Sequence, residues 1–389
     1  MIIEFAFNHK ILFLFIFPIV FQFEPFITKL YIKEDKDYLL FRMFRIFFSQ
    51  LLFIVFILII KCRSKKSPGK INLEKKLEAD DKNVEKIKSQ IETELQKNDA
   101  KKFRRNILIL FGLSALDLAA FFINYYYYGE SGIKIYLNTI GIIFEIITFG
   151  LLSYFILKQR FYKHHYVSFG IIFILLMTLF IIYVIETEFY WYIIIYYFFY
   201  TLFYSLYCVF GKKYLVEYFK TPYYMLFMIG LINSFGLLIY DIIAYFINDE
   251  YSGIIKGFRD NIVNVQSFFC LLLELIVKFI YTAGIWISIY DLTPCHFIIS
   301  DFTAEMISFY VKIINKTNID NYFFTTTNII MFSIIFVINL ICSLIFNEVL
   351  IVKFFGLHYY TDKYIKKREH IELTTLKATD TFDTLLTLD

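Results

Sequence analysis

Five charged side chains stand where hydrocarbon should exclude them. Asp117 lies in GLSALDLAAFF, Glu145 in IIFEIITFG and Asp241 in LLIYDIIAYF. Glu274 and Lys278 lie in LLLELIVKFI, four apart, and so share one face of a helix. A charge at mid-bilayer costs roughly 2.5–3.5 kcal/mol on insertion scales, so each such residue points to a partner or a polar path. Glu274 and Lys278 fit either a self-neutralising pair or a path lining. Asp117, Glu145 and Asp241 fit either helix–helix hydrogen bonds or a polar cavity. Taken together, several independent acids favour a cavity between helices, which a purely structural bundle does not need. Asp301 and Glu305 repeat the four-residue spacing with two acids. Glu24 and Arg45 lie near the ends of apolar runs, where long side chains are expected to reach the headgroups.

Tyr192, Tyr196, Tyr200 and Tyr204 recur every fourth residue. Hydroxyls on such a stripe can bind a polar solute and the rings can stack on a base or sugar. Tyr196 and Tyr200, at its centre, join the candidate substrate-binding set of Asp117, Glu145, Asp241, Glu274 and Lys278. The bland alternative is a lipid-facing stripe in a chain whose Phe, Tyr, Ile, Asn and Lys excess follows AT-rich codons.

Other chemistry is not expected. The chain has no G-x-S-x-G, H-E-x-x-H, P-loop or Gly-rich dinucleotide pattern, so no catalytic residue, enzyme activity or cofactor is expected. Cys62, Cys208, Cys270, Cys295 and Cys342 are scattered without a C-x-x-C pair and read mostly as packing residues. The six histidines are scattered apart from His164 and His165, which are expected in a loop, and no metal site is expected. No basic-aromatic surface indicates nucleic acid.

The elements that must position these residues follow from composition. Of 389 residues, 59% are apolar and 19% charged, with 49 Phe, 32 Tyr, 14 Gly and 5 Pro. Mean hydropathy is +0.60. A soluble domain has nowhere to bury so much apolar surface, and disorder, collagen and disulfide scaffolds are excluded by the same figures. The chain is expected to be an all-α polytopic membrane protein. Ten apolar segments are long enough to count as spans: 11–28, 41–60, 106–127, 135–157, 166–186, 191–210, 223–247, 263–289, 295–311 and 327–347. The first, preceded by Glu4 and followed by Glu24-Pro25 rather than a small-residue cleavage site, reads as a retained helix.

With the N-terminus in the cytoplasm, the loops on that side hold 28 Lys and Arg against 10 on the other, which places both termini inside. The sequon Asn315-Lys316-Thr317 then falls outside. The organisation expected is two spans in 1–60, a charged cytoplasmic loop in 61–105, eight spans in 106–347 and a cytoplasmic tail in 348–389 that is flexible after 353. The loop carries fifteen basic and eight acidic residues. Leu73, Leu77, Val84, Ile87, Ile91 and Leu95 recur there at helical spacing, as in a headgroup-bound amphipathic helix or a solvated linker. Ala115 with Ala119 and Gly230 with Ser234 are small-residue pairs suited to close helix contact.

Four segments resemble a known family. FEIITFGLLSYFILKQRFYKHHYVSFGIIFILL (144–176) is a helix, a short basic loop and a returning helix. VFGKKYLVEYFKTPYYMLFMIGLINSF (209–235) leads through a Pro into a second half. SIYDLTPCHFIISDF (288–302) holds a Leu-Thr-Pro-x-His turn, and FNEVLIVKFFGLHYYTDKYIKKRE (346–369) begins the tail. These are similar to the drug/metabolite transporter superfamily, the nucleotide-sugar-transporter-like fold of solute carrier family 35. The resemblance implies two inverted five-helix repeats, a central cavity and alternating access. It names no substrate, because the last span lacks the basic residue used by phosphate-translocating relatives.

The expected function is therefore secondary transport of a polar organic solute, in an endomembrane (Golgi or ER) or the plasma membrane. The alternative is a non-transporting structural subunit of a large membrane assembly, with the mitochondrial inner membrane as the alternative location. The expected partners are a small-molecule solute and the lipid bilayer, with homo-oligomerisation or a larger assembly left open.

Overall fold

A computed structural model describes residues 3–5, 39–64, 102–124, 134–186, 192–218, 221–247, 253–262, 265–299, 301, 326–352, 361 and 365. In chain order the elements are β1 (Ile3–Phe5), α1 (Leu39–Gln50), α2 (Phe53–Ser64), α3 (Lys102–Asn124), α4 (Lys134–Ile156), α5 (Lys163–Glu186), α6 (Tyr192–Tyr218), α7 (Pro222–Ile247), α8 (Gly253–Ile262), α9 (Val265–Asp291), α10 (294–299), α11 (Thr326–Phe346) and β2 (Leu350–Val352). The described residues are nearly all helical. Six stretches are long and apolar enough to cross a membrane: Leu40–Cys62, Lys102–Asn124, Lys163–Ile181, Ile194–Tyr218, Pro222–Ile247 and Val265–Asp291. Gly141–Ile156 and Ile330–Phe346 are shorter apolar helices. The expected first span and most of the ninth lie outside the described residues, as do the amphipathic pattern of 73–95 and the sequon at Asn315.

The chain divides into two compact units. One holds residues 1–22, 133–194 and 291–389, the other 23–132 and 195–290.

In the second unit α1 is the hub. Phe41, Met43, Phe44 and Phe47 of α1 are buried with Leu237 of α7, Ile254 of α8 and Leu271 of α9, and Leu118 and Phe121 of α3 pack against them. Phe258 of α8 lies edge-on to both Phe41 and Phe44, and Phe121 lies edge-on to Phe47. At Leu51 and Leu52 the ladder tightens into i→i+3 bonds, which joins α1 to α2 within one span. Pro222 opens α7, the position where its missing N–H does no harm. The buried residues of α7, from Pro222 through Leu226, Ile229, Gly230, Asn233 and Leu237 to Asp241, follow three- and four-residue spacing and define one packed face. Gly230 and Ser234 are both buried on that face, whereas Ala115 of the other small-residue pair is exposed.

In the first unit α4 packs on α5, α5 on α11, and β1 pairs antiparallel with β2, Glu4 opposite Ile351. A turn and strand β2 follow α11 directly, before the stretch after 353 that is expected to be flexible. The helix α2 runs to Ser64 and α3 starts at Lys102, so each reaches a few residues into the charged segment 61–105.

Gly230 sets the approach of α7 to α1. A Cβ there would lie 2.6 Å from Gln50 Cβ and 2.8 Å from the Phe47 carbonyl oxygen. Gly236, two turns on, has nothing within 4 Å. Gly230→Val should therefore destabilise the protein by about 1–3 kcal/mol, the usual range for overpacking. Gly236→Ala should leave it unchanged or slightly more stable. Thermal unfolding of the purified protein in detergent reads both.

Candidate functional site

Glu274 and Lys278 sit on the buried face of α9 with Ser267 and Leu271, one and two turns before them. Their i,i+4 spacing brings Lys278 Nζ to 2.5 Å from Glu274 Oε1. The other carboxylate oxygen accepts a hydrogen bond from Arg45 Nη1 of α1. All three side chains are buried, Glu274 completely. The Arg45 guanidinium also lies over the Phe41 ring, 5.0 Å from its centroid. Arg45, near enough to a span end to snorkel, is buried instead. The carboxylate of Glu274 and the Phe41 ring give the guanidinium a charge-assisted bond and an aromatic face in place of the water it gives up. The pair seen in the sequence is thus a three-residue ionic cluster joining α1 to α9.

Asp117, also buried, meets Tyr207 of α6. The Tyr207 hydroxyl donates to the Asp117 carboxylate and accepts from the Trp286 indole of α9. Tyr207 and Trp286 stand edge to face, centroids 5.1 Å apart. Gly211, one turn after Tyr207, makes this possible, because a side chain there would run into the Trp286 ring. One turn before Asp117, Ser114 Oγ donates to Asn233 Oδ1 of α7. The polar face of α3 is therefore hydrogen-bonded to α6 and α7, and through Tyr207 to α9.

Asp241 is fully buried and holds the start of α8. Its carboxylate accepts from the backbone N–H of Ile254 at 3.2 Å and of Ile255 at 3.3 Å. A carboxylate at a helix N-terminus satisfies orphan donors and complements the dipole. This geometry makes Asp241 an anchor for α8.

Glu145 is buried on α4 of the first unit. Tyr196 is exposed and Tyr200 half-buried; with Ile123, Asn124 and Tyr197 they line a pocket of about 10 Å³, room for one water at most. Tyr200 and Tyr204 stack at 6.0 Å. Asp301 is half-buried, and Glu305 and the Tyr192 side chain lie outside the described residues.

The first unit gathers three of the four segments quoted above. Thr293 caps α10, its Oγ1 accepting from the His296 N–H at 3.4 Å and lying 2.6 Å from His296 Nδ1, with Pro294 opening the helix. Cys295 donates to the Phe149 carbonyl of α4 at 3.5 Å and lies 3.4 Å from Ser153 Oγ. His164 and His165 were expected in a loop; they lie in the first turn of α5, because the chain leaves α4 in a short turn at 157–162 and resumes helix at Lys163. Both rings are buried, 3.9 Å apart, and His164 Nε2 is 3.4 Å from Glu348 Oε1.

Sequence reasoning missed Arg45, Tyr207, Trp286 and Glu348. For Arg45 and Trp286 no local pattern marks the partner. The His164-His165 doublet was visible, but Glu348 lies too far along the chain to be joined to it by spacing. The chain matches no protein-family model and no curated protein.

The ionic cluster yields a sharp expectation. Glu274→Gln should cost about 3–5 kcal/mol, because it removes the carboxylate that two buried cations contact. The triple change Arg45→Met, Glu274→Leu, Lys278→Met should be neutral or up to about 4 kcal/mol more stable. Denaturant unfolding of the single and triple variants measures the contrast.

Proposed function

We propose that the chain is a secondary transporter that moves a polar organic solute, of the nucleotide-sugar or metabolite class, by alternating access between two inverted five-helix repeats. The observation that carries this reading is the Arg45–Glu274–Lys278 cluster. Lys278 is the middle residue of α9, so the cluster places three ionisable groups where a lipid-embedded bundle has most to lose from them. Replacing such a cluster with apolar residues is commonly no loss to stability, so a role beyond packing accounts for it better.

The packing supports the repeat. Numbered in the expected ten-span order, span 2 (α1–α2) packs on span 7 (α7), and span 5 (α5) on span 10 (α11). Span 4 (α4) meets the start of span 9 (α10) through Cys295. Contacts between helices five spans apart are what a repeat folded about a pseudo-twofold axis produces. The resemblance to the drug/metabolite transporter superfamily points the same way.

The test is exchange in proteoliposomes. A panel of labelled nucleotide sugars, nucleotides and small organic acids is offered to the reconstituted protein and to the folded triple variant of Arg45, Glu274 and Lys278. Saturable exchange of at least one solute, lowered about tenfold or more in the triple variant, is expected, a change of about 1.4 kcal/mol or more in transition-state free energy. No exchange of any solute by folded wild-type protein, or full exchange by the triple variant, overturns the reading and favours a structural subunit.

A further inference from the structure

The geometry points to a divalent transition-metal site formed by His164, His165 and Glu348. Their donor atoms lie within 4.8 Å of one another, close enough for small side-chain rotations to bring all three onto one ion. His164 is buried, and neither of its ring nitrogens has a hydrogen-bond partner. The His165 Nε2 is likewise buried and without one. A buried imidazole ordinarily has its nitrogens satisfied, and a neutral ring has one lone pair to give a metal: His164 has it free on one of its two open nitrogens, and His165 can present it at Nε2 once its proton moves to Nδ1.

The backbone places the carboxylate at a cost. After α11 the Val349 N–H bonds the Leu344 carbonyl at 2.9 Å and the Glu348 N–H bonds that of Ile345 at 3.1 Å. This is the Schellman arrangement, whose left-handed position usually takes Gly. Glu348 occupies it with φ 58°. A bulky residue held there against its preference, with its carboxylate 3.4 Å from His164 Nε2, is what a positional requirement on the side chain looks like.

Two imidazoles and one carboxylate suit zinc, cobalt or nickel, and suit calcium and magnesium poorly, since those prefer all-oxygen shells. His165 Nδ1 accepts from the Tyr162 N–H at 3.0 Å. Ligation through Nε2 moves the ring proton to Nδ1, so that bond must be given up; one neutral hydrogen bond is small beside metal coordination. Phe346 packs on His165 at 4.6 Å and on His296 at 5.0 Å, which makes His296 a wall of the site.

The test is direct binding and does not depend on transport. The full chain, purified in detergent without a histidine tag and stripped with chelator, is titrated with Co²⁺ and followed by visible absorption, then by displacement with Zn²⁺. One Co²⁺ per chain, displaced by Zn²⁺, is expected. His164→Gln and Glu348→Gly should each weaken binding by more than about 100-fold, beyond the 10–100-fold typical of residues behind the ligands. Glu348→Gly also relieves the left-handed backbone, so its thermal unfolding should hold while binding is lost. If wild type binds no more Co²⁺ or Zn²⁺ than the double variant His164→Gln, Glu348→Gly, or if either single variant keeps wild-type affinity, the cluster is a histidine–glutamate pair only and the proposal is wrong.

Discussion

The carboxylate of Glu274, held between Arg45 and Lys278, is the constraint on which the second unit turns. A buried charge must be matched where it stands, so α9 can pack only in the register that brings its carboxylate to α1. Around that point the phenylalanines of α1 fill the space left by α3, α7 and α8. Dispersion and apolar burial are non-directional and tolerate sliding. The ion cluster is directional, and with Gly230 and Gly257, where α7 and α8 come against α1 without a Cβ, it selects one arrangement.

A second layer of polar bonds follows the same logic. Ser114 and Asp117 present two bonding groups on one face of α3, and each finds a partner on a different helix. Asp241 anchors α8 by its backbone amides. In lipid, where apolar faces gain nothing by leaving solvent, such bonds and close small-residue contacts carry much of the specificity of packing.

How far the sequence is legible depends on range. Spacing within one helix is readable: Glu274 and Lys278 four apart, and Gly230 with Ser234. In the Leu-Thr-Pro-x-His turn the structure adds what the turn alone does not state, Thr293 capping a helix that Pro294 opens. Pairings across the chain are not readable, because no periodicity links Arg45 to a residue 229 positions away. A place near the end of an apolar run allows Arg45 to snorkel, but position along a span says nothing about which face a side chain takes. The His164-His165 doublet was visible, yet its environment depends on Glu348 after another helix. Asp241 shows the converse limit: a buried acid was recognised, while its role as an anchor depends on a short helix that mixed apolar and charged residues hide from a hydropathy scan.

The coupling between Arg45 and Glu274 tests this account most directly. A double-mutant cycle with Arg45→Met and Glu274→Gln, read by reversible denaturant unfolding, isolates the interaction of α1 with α9. The account predicts a coupling above about 1 kcal/mol, as for groups sharing one network. Additivity within about 0.5 kcal/mol, the behaviour of distant independent sites, would mean that the cluster does not hold these helices together.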